Sequence, residues 1–290
     1  LKPSASTHTY LRWVGGKHRL ISRLRSYVPR DYSNRTYHEP FLGAASLFLE
    51  LQPEHAYLSD LNEALIRSFE YVRERPDLVA RYLGEHQSRD SETYYYAIRQ
   101  KYNYFKTFSC AQAARFIYLN RTCYNGVFRV NQQGRFNVPY GRRTRLLFPK
   151  RTHLTKVSQA LQNVVLRSLP YQKALEDAKE GDFVYLDPPY PPLNGTSQFR
   201  HYTAHRFNLS DQQHLARLAL ELRDRGCLVM ISNADVPSIR KLYDGMCITR
   251  LQVTRSVTCK NVKHSVSELI ITTYNANEML GHSPNGGRRR

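Results

Sequence analysis

Apolar residues along this chain fall into two rhythms. Compact runs at Thr36 to Phe41, His55 to Asp60, Val164 to Leu166, Phe183 to Leu186 and Cys227 to Ser232 have the length and composition of short buried strands. Between them apolar residues recur at helical spacing. One set is Leu20, Ile21, Leu24 and Val28, closed by Pro29; another is Leu47, Phe48, Leu49 and Leu51; others begin at Leu61 and span Ser210 to Arg225. Strand, turn and helix in succession predict a parallel sheet with helices on its faces. Two later runs, Ile248 to Val257 and Glu268 to Tyr274, predict an edge hairpin.

The alternation breaks between about Phe69 and Lys150. Two polar, Tyr-rich helical patterns come first. Asn120 to Arg143 then follows, dense in Asn, Gly, Tyr and Arg, with β-like runs Val127 to Val130 and Arg135 to Val138 around Asn131-Gln132-Gln133-Gly134. This predicts a basic β-hairpin on an inserted, mostly helical domain. The expected division is a discontinuous α/β domain (1–65 and 150–278), an insertion (66–149) and a disordered basic tail (279–290).

Charge narrows the choice of partner. The 290 residues carry 43 Lys plus Arg against 24 Asp plus Glu, a net charge of +19 spread along most of the chain. That excess points to a polyanion, although basic surfaces also occur on proteins that bind none. The 21 tyrosines offer faces on which bases stack. No apolar run is long enough to span a bilayer, and Leu1 to Tyr10 is too polar for a secretion signal, so a cytoplasmic protein is expected. Five scattered cysteines without a CxxC pair read as reduced thiols rather than a metal site.

The chemistry concentrates after the fourth strand-like run, at Asp187-Pro188-Pro189-Tyr190. In open α/β sheets ligands bind beyond the carboxyl ends of strands. Two prolines stiffen this turn and remove two donors, so Asp187 and the Pro188 carbonyl are both available as acceptors. Two acceptors suit an amino group such as the exocyclic nitrogen of adenine, whose lone pair is otherwise delocalised into the ring. Tyr190 adds a stacking face for a base taken out of its helix. The plain alternative is a turn in which Asp187 caps a loop. Upstream, Glu39-Pro40-Phe41-Leu42-Gly43 stands where the first strand turns toward a helix, and its glycine permits close ligand approach. Asp60 closes the next strand, placed to bind ribose or adenine, or to cap the following helix.

Taken in order, Trp13-Val14-Gly15-Gly16-Lys17, Glu39 to Gly43, Asp60-Leu61-Asn62 and Asp187 to Tyr190 resemble the Dam-type DNA adenine methyltransferases, from about Tyr10 to Tyr274. Leu119-Asn120-Arg121, Tyr124-Asn125-Gly126, Phe136 to Gly141 and Ile231-Ser232-Asn233 belong to the same resemblance. It implies a Rossmann-like S-adenosylmethionine-dependent sheet and a monomer acting on double-stranded DNA at GATC, nucleoid-associated and without a metal. Trp13, Lys17, Glu39, Phe41, Gly43, Asp60 and Asp187 would then line the cofactor site, and Asp187, Pro188, Pro189 and Tyr190 the catalytic turn. Arg12, Tyr124, Asn125, Arg129, Pro139 and Arg142 would face DNA, with Tyr124 and Asn125 wedging at the flipped base and Arg129 reading a guanine. One departure is Ala45, where the family usually has glycine; its methyl is expected to crowd the cofactor loop. The bland readings of Lys17 and Trp13 are a surface lysine and a core aromatic. Two rivals remain at this stage: the same chemistry on RNA or protein, and a DNA-binding relative that has lost catalysis. The basic insertion argues against the first and the intact Asp187 to Tyr190 turn against the second.

Overall fold

The computed structural model describes residues 7–17, 20–143, 146–191, 207–256 and 263–276. Helix α1 (Ile21–Arg25) precedes strand β1 (Thr36–Glu39), helix α2 (Ser46–Leu51), strand β2 (His55–Ser59) and helix α3 (Glu63–Glu74). Helices α4 (Pro76–Ser88), α5 (Glu92–Tyr104) and α6 (Cys110–Thr122) follow, and α7 (Arg151–Ala160) returns the chain to the sheet. Then come β3 (Val164–Arg167), α8 (Tyr171–Ala174), β4 (Phe183–Leu186), α9 (Leu209–Asp224) and β5 (Leu228–Ala234). Helix α10 (Pro237–Leu242) and strands β6 (Cys247–Ser256) and β7 (Lys263–Thr272) complete the order. Side chains fix the helix starts: Asn62, Ser91 and Ser109 cap α3, α5 and α6, and Asn208 forms a capping box with Asp211 at α9.

Among the described residues the strands form one seven-stranded sheet in the order β3-β2-β1-β4-β5-β7-β6. Pairing is parallel from β3 to β5, whereas β7 lies antiparallel between β5 and β6. The expected closing hairpin forms, with β6 rather than β7 at the edge. The chain winds outward from β1 through β2 to β3 and, restarting at β4, outward the other way. The carboxyl ends of β1 and β4 therefore flank the topological switch point, where ligands of open α/β sheets bind.

Period-two alternation divides the core. Phe183 and Tyr185 of β4, Met230 of β5 and Ile270 of β7 join Tyr37 and the apolar faces of α3 to α6 in one cluster. Val184 and Leu186, Val229 and Ile231, and Leu269 and Ile271 point the other way, onto Leu215, Ala219 and Leu222 of α9. The helices between β2 and β3 thus share a continuous core with one sheet face, and α3 runs through position 66. No described helix is long and apolar enough to cross a membrane.

The expected β-hairpin is present in minimal form: Val130 and Phe136 make one antiparallel bridge, as do Cys123 and Tyr140, with no continuous ladder between the two bridges. The turn exists: the Asn131 N–H donates to the Arg135 carbonyl (2.9 Å), and the Asn131 side chain accepts from Gln133 and Arg135. A second bond crosses the arms, from the Asn137 N–H to the Arg129 carbonyl (3.2 Å), and the outward-facing backbone groups of the second arm are bound by α5. Asn103 holds both the N–H and the carbonyl of Phe136, and the Val138 carbonyl accepts from Tyr95 and Arg99. Side chains of α5 therefore clamp the second arm onto the helices. The expected C-terminal tail lies outside the described residues.

Candidate active site

At the switch point β4 gives way to Asp187-Pro188-Pro189-Tyr190. Asp187 Oδ1 lies 2.7 Å from Lys17 Nζ and accepts a hydrogen bond from the Ser232 hydroxyl, also at 2.7 Å. Lys17 reaches this point from the Gly15-Gly16 loop, with its ammonium 4.5 Å from the Tyr190 ring centroid and donating to the Gly15 carbonyl. It is buried, not a surface lysine. The Tyr190 hydroxyl donates to Glu268 on β7 (3.1 Å), and Gln212 on α9 donates to the Pro189 carbonyl (3.0 Å). Burial pushes the Asp187 carboxyl above its ordinary value, opposed by the Lys17 ammonium and the Ser232 hydrogen bond.

Glu39 ends the neighbouring strand on the same sheet face. It accepts from the Tyr37 hydroxyl at 2.9 Å. Burial is the main cause that pushes its carboxyl up to about 8; the Tyr37 bond opposes this, and the nearby Asp187 and Asp60 carboxylates add to it. Asp60 follows β2 and ties two loops together. One oxygen accepts from the Gly43 N–H (3.0 Å) and the other from the Asn62 N–H (2.9 Å). The helix cap is Asn62, so Asp60 acts through the Gly43 loop instead. Gly43 has φ +47, and a Cβ there would stand 3.0 Å from the Trp13 indole.

Trp13 stacks on Phe128 of the insertion, ring centroids 6.0 Å apart. Trp13 is therefore a packed aromatic that also abuts the Gly43 loop. Phe41 is the outlier of the group, because it packs on Tyr171 and Phe207 against the opposite core cluster. Ala45 sits at φ +55 with its methyl wholly buried in the core, so it does not crowd the loop surface. The left-handed strain, of order 1–2 kcal/mol, is offset in part by about 0.8 kcal/mol from burying the methyl.

A second cluster forms where the N-terminal loop meets the insertion. Tyr124 and Asn125 are exposed on a one-turn helix, Asn125 in the left-handed conformation that Asn tolerates. The Tyr124 N–H donates to the Pro139 carbonyl (2.9 Å). Arg12 lies alongside, its Cβ 2.7 Å from where a Cβ on Gly126 would be. Arg129 is held through Nε by Asn137 (2.8 Å), and Arg142, more remote, pairs with Glu92 (3.0 Å).

Sequence reasoning assigned no role to Ser232, Tyr185, Glu268, Gln212 or Asn120. Ser232 and Asn120 stood inside matched motifs, so a signal existed for those two. Asn120, fully buried, accepts from the Arg12 N–H (2.8 Å) and donates to the carbonyls of Arg12 (2.6 Å) and Gly126 (3.3 Å). It staples the N-terminal loop to the Tyr124–Gly126 turn.

This arrangement can hold a cationic or amino-bearing ligand between carboxylates at the sheet mouth, beside a separate basic and aromatic face. Comparison with known proteins agrees. Residues 13–257 match the family of D12 class N6 adenine-specific DNA methyltransferases. The type II methyltransferase M1.LlaDCHI of Lactococcus lactis subsp. cremoris is 33% identical over 94% of this chain and 98% of its own length. The type II methyltransferase M.MjaIII of Methanocaldococcus jannaschii is 35% identical over 91% and 98%, and the DNA adenine methylase of Escherichia coli K12 34% identical over 90% and 93%. The chain therefore belongs to the D12 class of DNA adenine-N6 methyltransferases, enzymes whose methyl donor is S-adenosylmethionine.

Proposed function

We propose that this chain methylates adenine in GATC, acting as a monomer on a base flipped out of duplex DNA, with Asp187 to Tyr190 as the catalytic turn. The observation that carries this reading is an acceptor and an aromatic face brought together at the turn: the Lys17 ammonium lies 2.7 Å from Asp187 Oδ1 and 4.5 Å from the centre of the Tyr190 ring, so one nitrogen reaches both, and the second carboxylate oxygen is left for the adenine amino group. Asp187 and the Pro188 carbonyl would accept the two amino hydrogens, the Pro189 carbonyl being already engaged by Gln212. Tyr190, steadied through its hydroxyl by Glu268, supplies the stacking face.

The residues present fit the methyl donor. The Glu39, Asp60 and Asp187 carboxyl groups gather at the sheet mouth, acceptors for the polar groups of the donor, and a cationic sulfonium or ammonium would favour the ionised form of Glu39. Gly43 keeps its loop low under Trp13, and the Ser46 hydroxyl is buried without a partner among the described residues. Trp13, Lys17, Glu39, Gly43, Asp60 and Asp187 would hold the cofactor, with Phe41 supporting the loop from behind. When bound, S-adenosylmethionine supplies an electrophilic methyl group. The chain's own task is to orient the amino nitrogen toward that methyl and to exclude water, so much of the rate comes from positioning.

Target recognition is assigned to the segment around 66–149 together with Arg12. Tyr124 and Asn125 would enter the space left by the flipped base, with Pro139 beside them and Arg142 near the backbone. Arg129, anchored through Nε, retains its terminal nitrogens for a guanine edge. GATC rests on the Dam-type resemblance. Sequencing methylated DNA from a methylation-free host expressing the chain tests it: N6-methyladenine confined to GATC is expected, and a different motif refutes the assignment. Asp187→Ala should abolish transfer while DNA affinity stays within a fewfold; retained transfer refutes the role given to the turn.

A further inference from the structure

Asp187 is held by more than its ion pair with Lys17. In the parallel register of β4 and β5, Leu186 lies opposite Ile231, so the next residues, Asp187 just past the end of β4 and Ser232 within β5, stand side by side. Ser232 is wholly buried, and its hydroxyl lies 2.7 Å from Asp187 Oδ1 and 3.0 Å from the hydroxyl of Tyr185, itself buried on the same face. Proton directions follow from valence. An ionised carboxylate only accepts, so Ser232 donates to Asp187 and takes the Tyr185 proton on its own lone pair. Lys17 falls on the same carboxylate oxygen as Ser232.

We propose that Ser232 is a positioning residue for methyl transfer: its hydroxyl, backed by Tyr185, fixes the Asp187 carboxylate through Oδ1 and turns Oδ2 toward the amino group of the target adenine. This rests on the role given to Asp187 above. A carboxylate at the end of a strand, pinned only by a flexible lysine, would rotate about its terminal torsion, which is broad. A second donor from an adjacent strand stops that rotation, and an adenine amino group can then be met at a fixed angle. The same hydrogen bond favours the ionised form of Asp187 against the burial that disfavours it. Facing the carboxylate, among the described residues, are Lys17 from the N-terminal loop, Tyr37 and Glu39 from β1, Tyr185 from β4, Tyr190 from the turn and Glu268 from β7. Of these, Lys17 favours ionisation, as Ser232 does, and Glu268 opposes it.

Ser232→Ala tests the proposal. Measured are the single-turnover methylation rate at saturating duplex and S-adenosylmethionine, the dissociation constants of both, and the rate as a function of pH. The expected result is a rate at least tenfold lower with both dissociation constants within twofold, and an acid limb moved to higher pH because Asp187 has lost a donor. A rate within twofold of the parent, or a lower rate with an unmoved acid limb, overturns it. Should Ser232→Ala fail to fold, Tyr185→Phe decides: a smaller loss with the limb displaced the same way supports the proposal, and an unchanged rate and limb overturn it. Asp187→Ala run alongside separates the two failures. Retained transfer in that variant refutes the catalytic turn itself, whereas loss there with no effect at Ser232 refutes positioning alone.

Discussion

Glu39 is the residue whose protonation reports most directly on the proposed cofactor site. Buried beside two other carboxylates, it keeps its proton in the folded chain up to about pH 8, against an ordinary value of 4.5. Between these limits the folded state binds the extra proton, so the stability this group contributes is present below pH 4.5 and is lost as pH rises through about 8. Glu39→Gln cannot charge and can still accept from Tyr37. The melting temperature of the variant, relative to the parent, should therefore rise as pH goes from about 5 to about 9; a pH-independent difference would show that Glu39 is not buried as described. Cofactor binding should show the complementary effect. A cationic ligand favours the ionised carboxylate, so calorimetry at neutral pH should find proton release on binding S-adenosylmethionine to the parent and a much smaller release in the variant.

At the scale of elements, the question is how the N-terminal loop and the insertion keep a common geometry. Asn120, at the end of α6, answers with three hydrogen bonds, two to the backbone of Arg12 and one to Gly126. Asn120→Ala leaves those groups without their partner, a cost of about 1–3 kcal/mol. Its functional effect should be selective: duplex binding and base flipping, followed by 2-aminopurine fluorescence, weaken at least tenfold while cofactor affinity stays within twofold. Equal loss of both ligands would instead mean that α6 supports the whole fold. The sheet was legible from sequence because local rules govern its parts. Buried parallel strands appear as short apolar runs, and Gly43, Asp60 and Asp187 stand where those runs end. The insertion's backbone was less legible, since Asn103 on α5 captures Phe136 across 33 residues, and no local pattern announces such a capture. Ser232 and Glu268 were hidden for a related reason. Ser232 meets Asp187 only in the parallel register of β4 with β5, and Glu268 meets Tyr190 only once β7 is known to run antiparallel between β5 and β6, long-range pairings that alternation alone does not specify.

For the whole molecule, charge is distributed by function. The chain carries +19 overall, yet three acidic side chains, Glu39 among them in its protonated form, meet at the sheet mouth, while Arg12, Arg129 and Arg142 lie on the N-terminal loop and the segment between β2 and β3. Cofactor and duplex should consequently respond to salt in different ways. Each phosphate contact contributes about −0.9 to the slope of log K against log salt, so a footprint of about 6–10 contacts weakens duplex binding by roughly 10³–10⁵ between 50 and 200 mM. Cofactor binding in a cleft screened from bulk ions should change far less. The two arginines divide along the same line. Arg142, exposed and paired with Glu92, is placed to exchange that carboxylate for a phosphate; Arg142→Ala should flatten the salt slope by about 1 and leave target preference unchanged. Arg129 is fixed by Asn137, and the proposed role for it is to read a base rather than to attract the backbone. Arg129→Ala should cost about 1–3 kcal/mol at one base pair, with little change in slope. Competition binding with single-substitution duplexes at several salt concentrations separates these outcomes. If both variants change the slope equally and neither relaxes preference, Arg129 is one more phosphate contact, and the guanine must be read by another side chain of the insertion.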